Sequence, residues 1–468
     1  MSKIQKKVWK GCLTVLLLIL LVVPAQTVWA GDGDWPQFQN DAANTGSTNS
    51  SVPDTAQFKW VSEDLGAIPS SGVVVANGKV FVNCGTTLKC LSASTGSLIW
   101  SESIGDSKVY GAWGSPAYHN GRVFIATDQI YCFSENGGSP IWAYDIPHDA
   151  CDGSVTVVDG YVIAGDWDGY QYFCINATSG ELVWSYTVTG TAQGTPAIAD
   201  GKVYLTSWGY VSGHVYCLNL SNGEKKWETA WLPGGDLPEY DTCGSPCVAD
   251  GKVFVTTYNF QDDGELVALD AETGAFVWDD TAGGRVRTIQ RSDATPAYYD
   301  GKIYVCGGCR GFSDIQTYCF NADDGSPVWQ TAPDDGIGNW TCSVAVADGI
   351  ALVGKAGEEF FDYAGLYALD ALNGTEIWHY DHGGSSPAIA GGCVYTVGEG
   401  KVWAFGTPAA EYPVWDVNTS GSVDKQDMEQ VGNRLGESGE AGWIIEDVNK
   451  DGHINVLDLV IIGNHFGE

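Results

Sequence analysis

Two twelve-residue stretches near the C-terminus carry the side chains best suited to chemistry. Asp416, Asn418, Ser420, Ser422, Asp424 and Asp427 fill positions 1, 3, 5, 7, 9 and 12 of the first. Asp447, Asn449, Asp451, His453, Asn455 and Asp458 fill the same positions 31 residues later. Gly421 and Gly452 stand at position 6, where the chain must turn sharply, and position 7 offers its backbone carbonyl. Six to eight hard oxygens in a flexible shell are what Ca²⁺ takes, so the spacing predicts two calcium sites. The second has one more carboxylate, because Asp451 stands where the first has Ser420, and it is expected to bind more tightly. A short amphipathic helix is expected after each loop, over 428–435 and 459–466.

The body of the chain offers a second set. The chain has six arginines, and Arg285, Arg287 and Arg291 share one stretch that Arg310 follows closely. Clustered arginines grip carboxylates and phosphates through paired hydrogen bonds; internal pairing on an acidic surface is the plainer alternative. Trp113, Trp167, Trp208 and Trp340 lie in comparable loops, with Tyr110, Tyr210, Trp231, Tyr240, Tyr258 and the acids Asp152, Asp166, Asp168 and Asp293. Aromatic faces beside carboxylates suit a sugar, and two carboxylates at the right separation can hydrolyse a glycoside. Aromatics packed between structural units would look the same in sequence. The pair in Cys306-Gly307-Gly308-Cys309 supplies two of the four ligands a structural metal needs. Free thiols, a disulfide and a metal all stay open there.

The elements that must position these residues come from one sentence repeated along the chain. LVALDAETGAFVW ends at Trp278, and worn copies end at Trp100, Trp142, Trp184, Trp227, Trp329 and Trp378, spaced by 42, 42, 43, 51, 51 and 49 residues. Strand chemistry at a period of 40–50 residues points to propeller blades. Each unit opens near Gly-Ser/Thr-Pro-Ala and turns at an Asn-Gly or Asp-Gly of the type I′ kind, at Asn77, Asn120, Asp159, Asp200, Asp250, Asp300 and Asp348. Cys90, Cys132, Cys174, Cys217 and Cys319 share the slot of Ala268 and Ala368 in the other copies, so they read as small buried residues of the third strand. Beyond Trp378 only three strands remain, and Phe58-Lys59-Trp60 supplies the missing fourth. The expected fold is an all-β eight-bladed propeller closed by the N-terminal strand, followed by a small α-helical, EF-hand-like module. The two short turns of every blade share one face. The variable connections, with the arginines and loop aromatics, share the other, which makes that face the expected binding surface.

The Ala-x-Asp-x-x-Thr-Gly-x-x-x-Trp pattern of residues 268–278 resembles the pyrroloquinoline-quinone-type propeller repeat. So does the entry segment Trp35-Pro36-Gln37-Phe38 with Asp41 and Asn44-Thr45-Gly46. That family includes quinone-dependent dehydrogenases, an outer-membrane assembly lipoprotein and exported binding proteins. The dehydrogenases use two adjacent cysteines beside the quinone. No two cysteines are adjacent in this chain, and the Cys-x-x-Cys is followed by Arg310 rather than by a haem-binding His, so no quinone is expected. The doubled calcium loops, with Asp at position 12, are similar to type I dockerins. That resemblance implies a cohesin-type partner read through positions 10 and 11, here Lys425 and Gln426 in one copy and Val456 and Leu457 in the other.

The expected organisation is a signal peptide over 1–30, a propeller over 31–406, a linker over 407–415 and the dockerin-like module over 416–468. Lys3, Lys6, Lys7 and Lys10 precede the apolar run at 13–23, and Val28-Trp29-Ala30 suits cleavage. A secreted or cell-surface protein without membrane insertion is expected. The net charge of −35, four units more negative without the signal, excludes nucleic acid and anionic membrane as partners. The function expected is a non-catalytic propeller presenting a face to an acidic glycan or another exported protein. The alternatives are a polysaccharide-active hydrolase or lyase and, more remotely, a quinone-dependent dehydrogenase.

Overall fold

The structure is a computed structural model describing residues 33–68, 71–108, 114–209, 213–230, 244–257, 264–278, 286–358, 361–406, 415, 417, 422–439 and 446–467. The expected signal and nearly all of the expected linker lie outside these residues. The described residues form eight four-stranded antiparallel sheets. A blade runs outward from a three-residue inner strand, as in Val74–Ala76, Lys79–Asn83, Thr87–Ser92 and Leu98–Ser103. Blade eight takes Ala388–Ala390, Cys393–Gly398 and Lys401–Gly406 from one end of the propeller and Phe58–Val61 from the other. The ring is thus closed by strand pairing between its two ends, which leaves no blade short of a strand.

The repeat residues have separate duties. The seven Asn/Asp-Gly turns have φ of 47–55° at the first residue and a positive φ at the glycine, as a type I′ hairpin requires. Cys90, Cys132, Cys174, Cys217 and Cys319 each face the tryptophan of the neighbouring strand. Residues directly opposite across an antiparallel pair share a face, so a small residue leaves room for the indole. That indole then joins one blade to the next. Trp100, Trp142, Trp184, Trp227, Trp278 and Trp329 donate Nε1–H to turn carbonyls of the following blade at 2.7–3.3 Å. Trp60 makes the same bond from blade eight to blade one. Trp378 reaches Pro53 instead, because blade eight has no strand-three-to-four turn of its own. The turn glycine lies under the indole with a positive φ, so any Cβ would strike the ring.

One expectation, that each copy of the repeat supplies a strand, a tight turn and a fourth strand ending on its Trp, needs correction. In blade five the strand after the turn does not run on through Trp278. Only a bridge at Leu269–Phe276 forms there, and the regular fourth strand is Val286–Ile289, paired with Gly264–Asp270. The stretch after Trp278, Asp-Asp-Thr-Ala-Gly-Gly, has no apolar alternation, and pairing resumes where alternation does. Where the motif Gly-Ser/Thr-Pro-Ala/Cys is complete, at 114–117, 194–197 and 244–247, the inner strand begins near it as expected, at its last residue, Ala117, Ala197 or Cys247, because proline has no N–H to extend the ladder. The Ser/Thr before it serves the axis. Backbone N–H groups of Gly72, Ser115, Ser154, Thr195, Thr295 and Ser343 donate to the hydroxyl one blade further on, at 2.8–3.0 Å.

Residues 33–46 engage every blade. Val75, Tyr118, Ile198, Val248, Tyr298, Val346 and Gly391 donate backbone N–H to carbonyls of Trp35, Pro36, Ala42, Ala43, Thr45, Gly46 and Gly33. Val157 donates to Gln37 Oε1. These donors come from the inner strands or, in blade eight, the turn beside one; those edges face the axis and would otherwise lack partners. The entry segment therefore seals the axis on the short-turn side.

In the C-terminal module, helix α1 spans Lys425–Gly432 and α2 spans Val456–Asn464. Each starts three residues before the expected position, inside its loop. Asp424 and Asn455 cap the helices, and Asp427 and Asp458 complete the capping boxes. Val417, Val423, Val431, Val448, Ile454 and Ile462 form a small core. The rings of Trp415 and His465 stack at 3.6 Å. Among the described residues, no helix is long and apolar enough to cross a membrane.

Candidate functional site

The second calcium loop is described throughout. Asp447 accepts the backbone N–H of Asp451 on Oδ1 and of Gly452 on Oδ2, both at 3.0 Å. Asp458 accepts Asn449 N–H at 3.1 Å and Asn455 N–H at 2.9 Å. Asn449 donates its side-chain amide to Asp451 Oδ2 at 3.0 Å. These bonds gather positions 1, 3, 5, 9 and 12 around one turn, with Gly452 at φ 83°. The carboxylates of Asp427, Asp447 and Asp458 are buried, which is costly for a charge without compensation. Carboxylates, amide oxygens and a carbonyl make a hard-oxygen set that fits calcium. Among the described residues no three acidic, His or Cys side chains by themselves surround one point. In the first loop Asp424 accepts Gln426 N–H at 2.7 Å. Asp416, Asn418 and Ser420 lie outside the described residues, while Ser422 and His453 occupy position 7.

The first turns of the two helices differ in chemistry. Lys425 pairs with Glu429 and stands beside Gln426. Val456, Leu457 and Val460 of α2 are 65%, 55% and 50% exposed, an apolar patch next to the second loop.

On the variable face of the propeller, Trp167 and Trp208 lie 5.5 Å apart, and Trp340 stacks on Phe361 at 5.8 Å. Cys309 joins them in one cluster. Three of the four expected tryptophans are therefore brought together, and Trp113 is outside the described residues, as are Tyr110, Tyr210, Trp231, Tyr240 and Tyr258. Trp208 and Trp340 are 8% and 5% exposed, so they pack rather than form an open platform. Of the three described, Trp167 is half-buried.

The arginines do not converge as expected. Arg287 sits in the fourth strand of blade five, over Trp278 at 5.0 Å, and donates to the Gly325 and Asp324 carbonyls at 2.6 and 2.7 Å. Its guanidinium thus binds a short turn of blade six, away from the variable face. Arg291 lies over Phe312 at 5.8 Å. Arg310 pairs with Glu358 at 3.6 Å. Arg285 is outside the described residues. The displaced fourth strand explains the difference, since it converts part of an expected loop into sheet.

Sequence reasoning missed the axial cavity. It is small, about 30 Å³, and lined by Phe38, Gln193, Thr195, Asp293, Ser343 and Ser386 among others. Gln193 donates to Asp293 Oδ2 at 3.3 Å. Burial pushes the Asp293 carboxyl up to about 7, against the Gln193 bond that lowers it. Glu265, buried on blade five, is likewise raised to about 7 by desolvation. His148 Nδ1 lies 2.9 Å from the buried Asp166 carboxylate, while Asp168 stays exposed. A wider cavity, about 1000 Å³, opens on the opposite face, between the entry segment and the short turns of blades two and three. The recurring Gly-Ser/Thr-Pro was the one sequence signal for the axis.

The family described as outer membrane protein assembly factor BamB matches residues 41–129, 126–317 and 312–422. The type I dockerin domain matches 414–467. Tetrathionate hydrolase of Acidithiobacillus ferrooxidans is 25% identical over 301 residues, which cover 56% of this chain and 55% of that protein. This chain thus spans about half the length of that relative. BamB of Shewanella oneidensis is 22% identical over 305 residues, covering 60% and 69%. The quinohemoprotein alcohol dehydrogenase structure from Comamonas testosteroni superposes with a TM-score of 0.61 at 13% identity, over 92% of this chain and 95% of that one, a likeness of fold alone. The pattern runs through the whole propeller: this chain belongs to the BamB family of repeat propellers and ends in a type I dockerin domain.

Proposed function

We propose that the chain is a secreted, non-catalytic binding propeller docked by its C-terminal domain, with calcium, onto a cohesin-type domain of an extracellular or cell-surface scaffold. The observation that carries this reading is the patch of Val456, Leu457 and Val460 beside the second loop. Three exposed apolar side chains on a short helix suit a partner's surface, and the loop's ion would set the helix that bears them. The α2 copy is the better docking face, because Lys425 and Gln426 make the equivalent turn of α1 polar.

The propeller side is supported by its cysteines: no two are adjacent in this chain, and adjacent cysteines are what the quinone-dependent dehydrogenases use beside their cofactor. Arg310 and Trp167, which keep surface, remain the groups suited to an acidic glycan or an acidic protein loop, while Arg291 is buried.

The test is a pull-down from the source's extracellular fraction, with calcium and with chelator. Capture of a cohesin-bearing scaffold by the wild type in calcium, lost in chelator and in V456D/L457D, is expected. Equal capture in chelator would sink the docking reading. One observation favours a second reading, a polysaccharide-active enzyme: a carboxyl held near 7 suits a general acid at neutral pH. Release of reducing ends from acidic polysaccharide by the wild type, but not by Asp293→Asn, would establish it over the first.

A further inference from the structure

Of the bonds between the entry segment and the blades, one differs in kind. At blades two and four the inner strands give Tyr118 and Ile198 N–H to the Pro36 and Ala42 carbonyls. At blade three, between them, Val157 N–H meets a side chain instead, Gln37 Oε1 at 3.0 Å. The main chain from Gln37 to Ala42 turns clear of that blade. Gln39 and Asn40 carry the turn at φ 52° and 71°, a left-handed conformation uncommon outside glycine. Their side chains pin it: Gln39 Nε2 donates to the Val344 carbonyl at 3.2 Å, and Asn40 Nδ2 to that of Ser47 at 2.6 Å. The space left over is the cavity of about 1000 Å³ under blades two and three. Ligand sites usually offer about 300–1,000 Å³.

Polar groups without partners face this space. Gln37 is only 8% exposed. Val157 fixes its oxygen, and its amide nitrogen, which has no partner among the described residues, opens into the cavity that Gln37 lines. Arg122 gives Nη1 to the Ala177 and Thr178 carbonyls at 2.8 and 3.1 Å, and among the described residues no carboxylate pairs with it. In a chain with 58 acidic residues, that leaves a guanidinium with N–H groups to spare. His119 and Asn120 bond to each other at 2.9 Å. Burial holds the His119 imidazole below its ordinary value, so the ring is neutral at pH 7.

We propose that this cavity binds a neutral oligosaccharide. Donors and acceptors stand side by side on its wall: Gln37 and Arg122 donate, while the Asp159 carboxylate and the Asn120 amide oxygen accept. A sugar hydroxyl does both at once. The planar fork of Arg122 clasps two adjacent hydroxyls, and Gln37 Nε2 donates to a third. Pro36, Ala42 and Val158 supply apolar surface for the C–H face of a pyranose. Charge selects against acidic sugars, because Asp34, Asp41 and Asp159 line the cavity against the single guanidinium. An extended peptide would need an unpaired strand edge, and the inner-strand N–H groups here are already taken by residues 36, 37 and 42. The site is separate from Arg310 and Trp167 on the variable face.

The test is an array of neutral oligosaccharides, uronic-acid oligosaccharides and short peptides, probed with the full chain in calcium. Calorimetric titration of the neutral sugar that binds follows. Gln37→Glu keeps the oxygen that Val157 needs and removes the amide donor, so Kd is expected to rise roughly tenfold. Thr178 is exposed at the mouth of the cavity and bonds only through its backbone. Thr178→Trp therefore fills the mouth without removing a bond, and binding is expected to vanish. An unchanged thermal transition reports that each variant is folded; if Gln37→Glu is not, Thr178→Trp decides alone. Capture of no neutral sugar, capture of uronic-acid sugars or peptides only, or neutral-sugar binding that survives Thr178→Trp would overturn the proposal.

Discussion

The propeller and the C-terminal module reach order by opposite routes. In the propeller nearly every constraint is met by the chain itself. The entry segment bonds the axial side of each blade, hydroxyls bond neighbouring blades near the axis, and indoles bond them farther out. In the module a small apolar core supports carboxylates that are themselves buried, Asp427, Asp447 and Asp458. One region needs its own ends to come home; the other gathers buried carboxylates of the kind that suit calcium.

Removing residues 33–50 is the severest way to break this contrast. It deletes eight axial bonds, each contributing about 0.5–1.5 kcal/mol, a total comparable with the stability of an ordinary domain at about 5–15 kcal/mol. The propeller is expected to lose its cooperative thermal transition, while calcium titration by calorimetry still reports the module. Retention of the transition would show that outer contacts suffice.

Chelation should do the reverse. Excess EDTA is expected to abolish the module's helical signal by NMR and leave the propeller's Tm in place. Within the module, Asp447→Ala should lose more calcium affinity than Asp416→Ala. Equal losses would remove the argument from the extra carboxylate of Asp451.

A single indole probes the propeller's own joints. Trp100→Ala is expected to cost about 3–5 kcal/mol, the usual range for a large aromatic cut to Ala. Trp60→Ala should match it in chemical denaturation if the closing joint is equivalent to the others. A much smaller cost at Trp60 would mark blade eight as the weak joint.

The mildest test is pH. Asp293 and Glu265 both keep their protons to about 7 in the fold, above their ordinary carboxyl values. The folded state then binds protons that the unfolded chain releases, so stability is greatest below the unfolded values and falls as pH rises through 7. The Tm is expected to drop by a few degrees, roughly 2–4 °C per kcal/mol, between pH 5 and 8. Asp293→Asn should flatten that slope, and an unchanged slope would remove Asp293 as its source.

Much of the fold was legible because its signals are local and repeated. The Asn/Asp-Gly pairs announce their turns through the φ they require, and the small residue opposite each tryptophan recurs at a fixed offset. The entry segment was legible as a pattern but not as a part, since its bonding partners lie up to hundreds of residues away. The candidate site was less legible. Arg287 was misplaced because the strand containing it is set by where alternation resumes after Trp278. Asp293 resembled any loop acid until the axis desolvated it.

By itself the sequence determined eight blades, the closure by Trp60, the burial of the repeat thiols and the two oxygen-rich loops. Each follows from a period, a turn preference or a donor spacing that acts over a few residues. Only tertiary structure decided that Trp208 and Trp340 pack instead of opening, that Cys306 and Cys309 fall in different clusters, and that residues 33–46 serve every blade. Those outcomes depend on which distant strands become neighbours, and that is settled only when the ring closes.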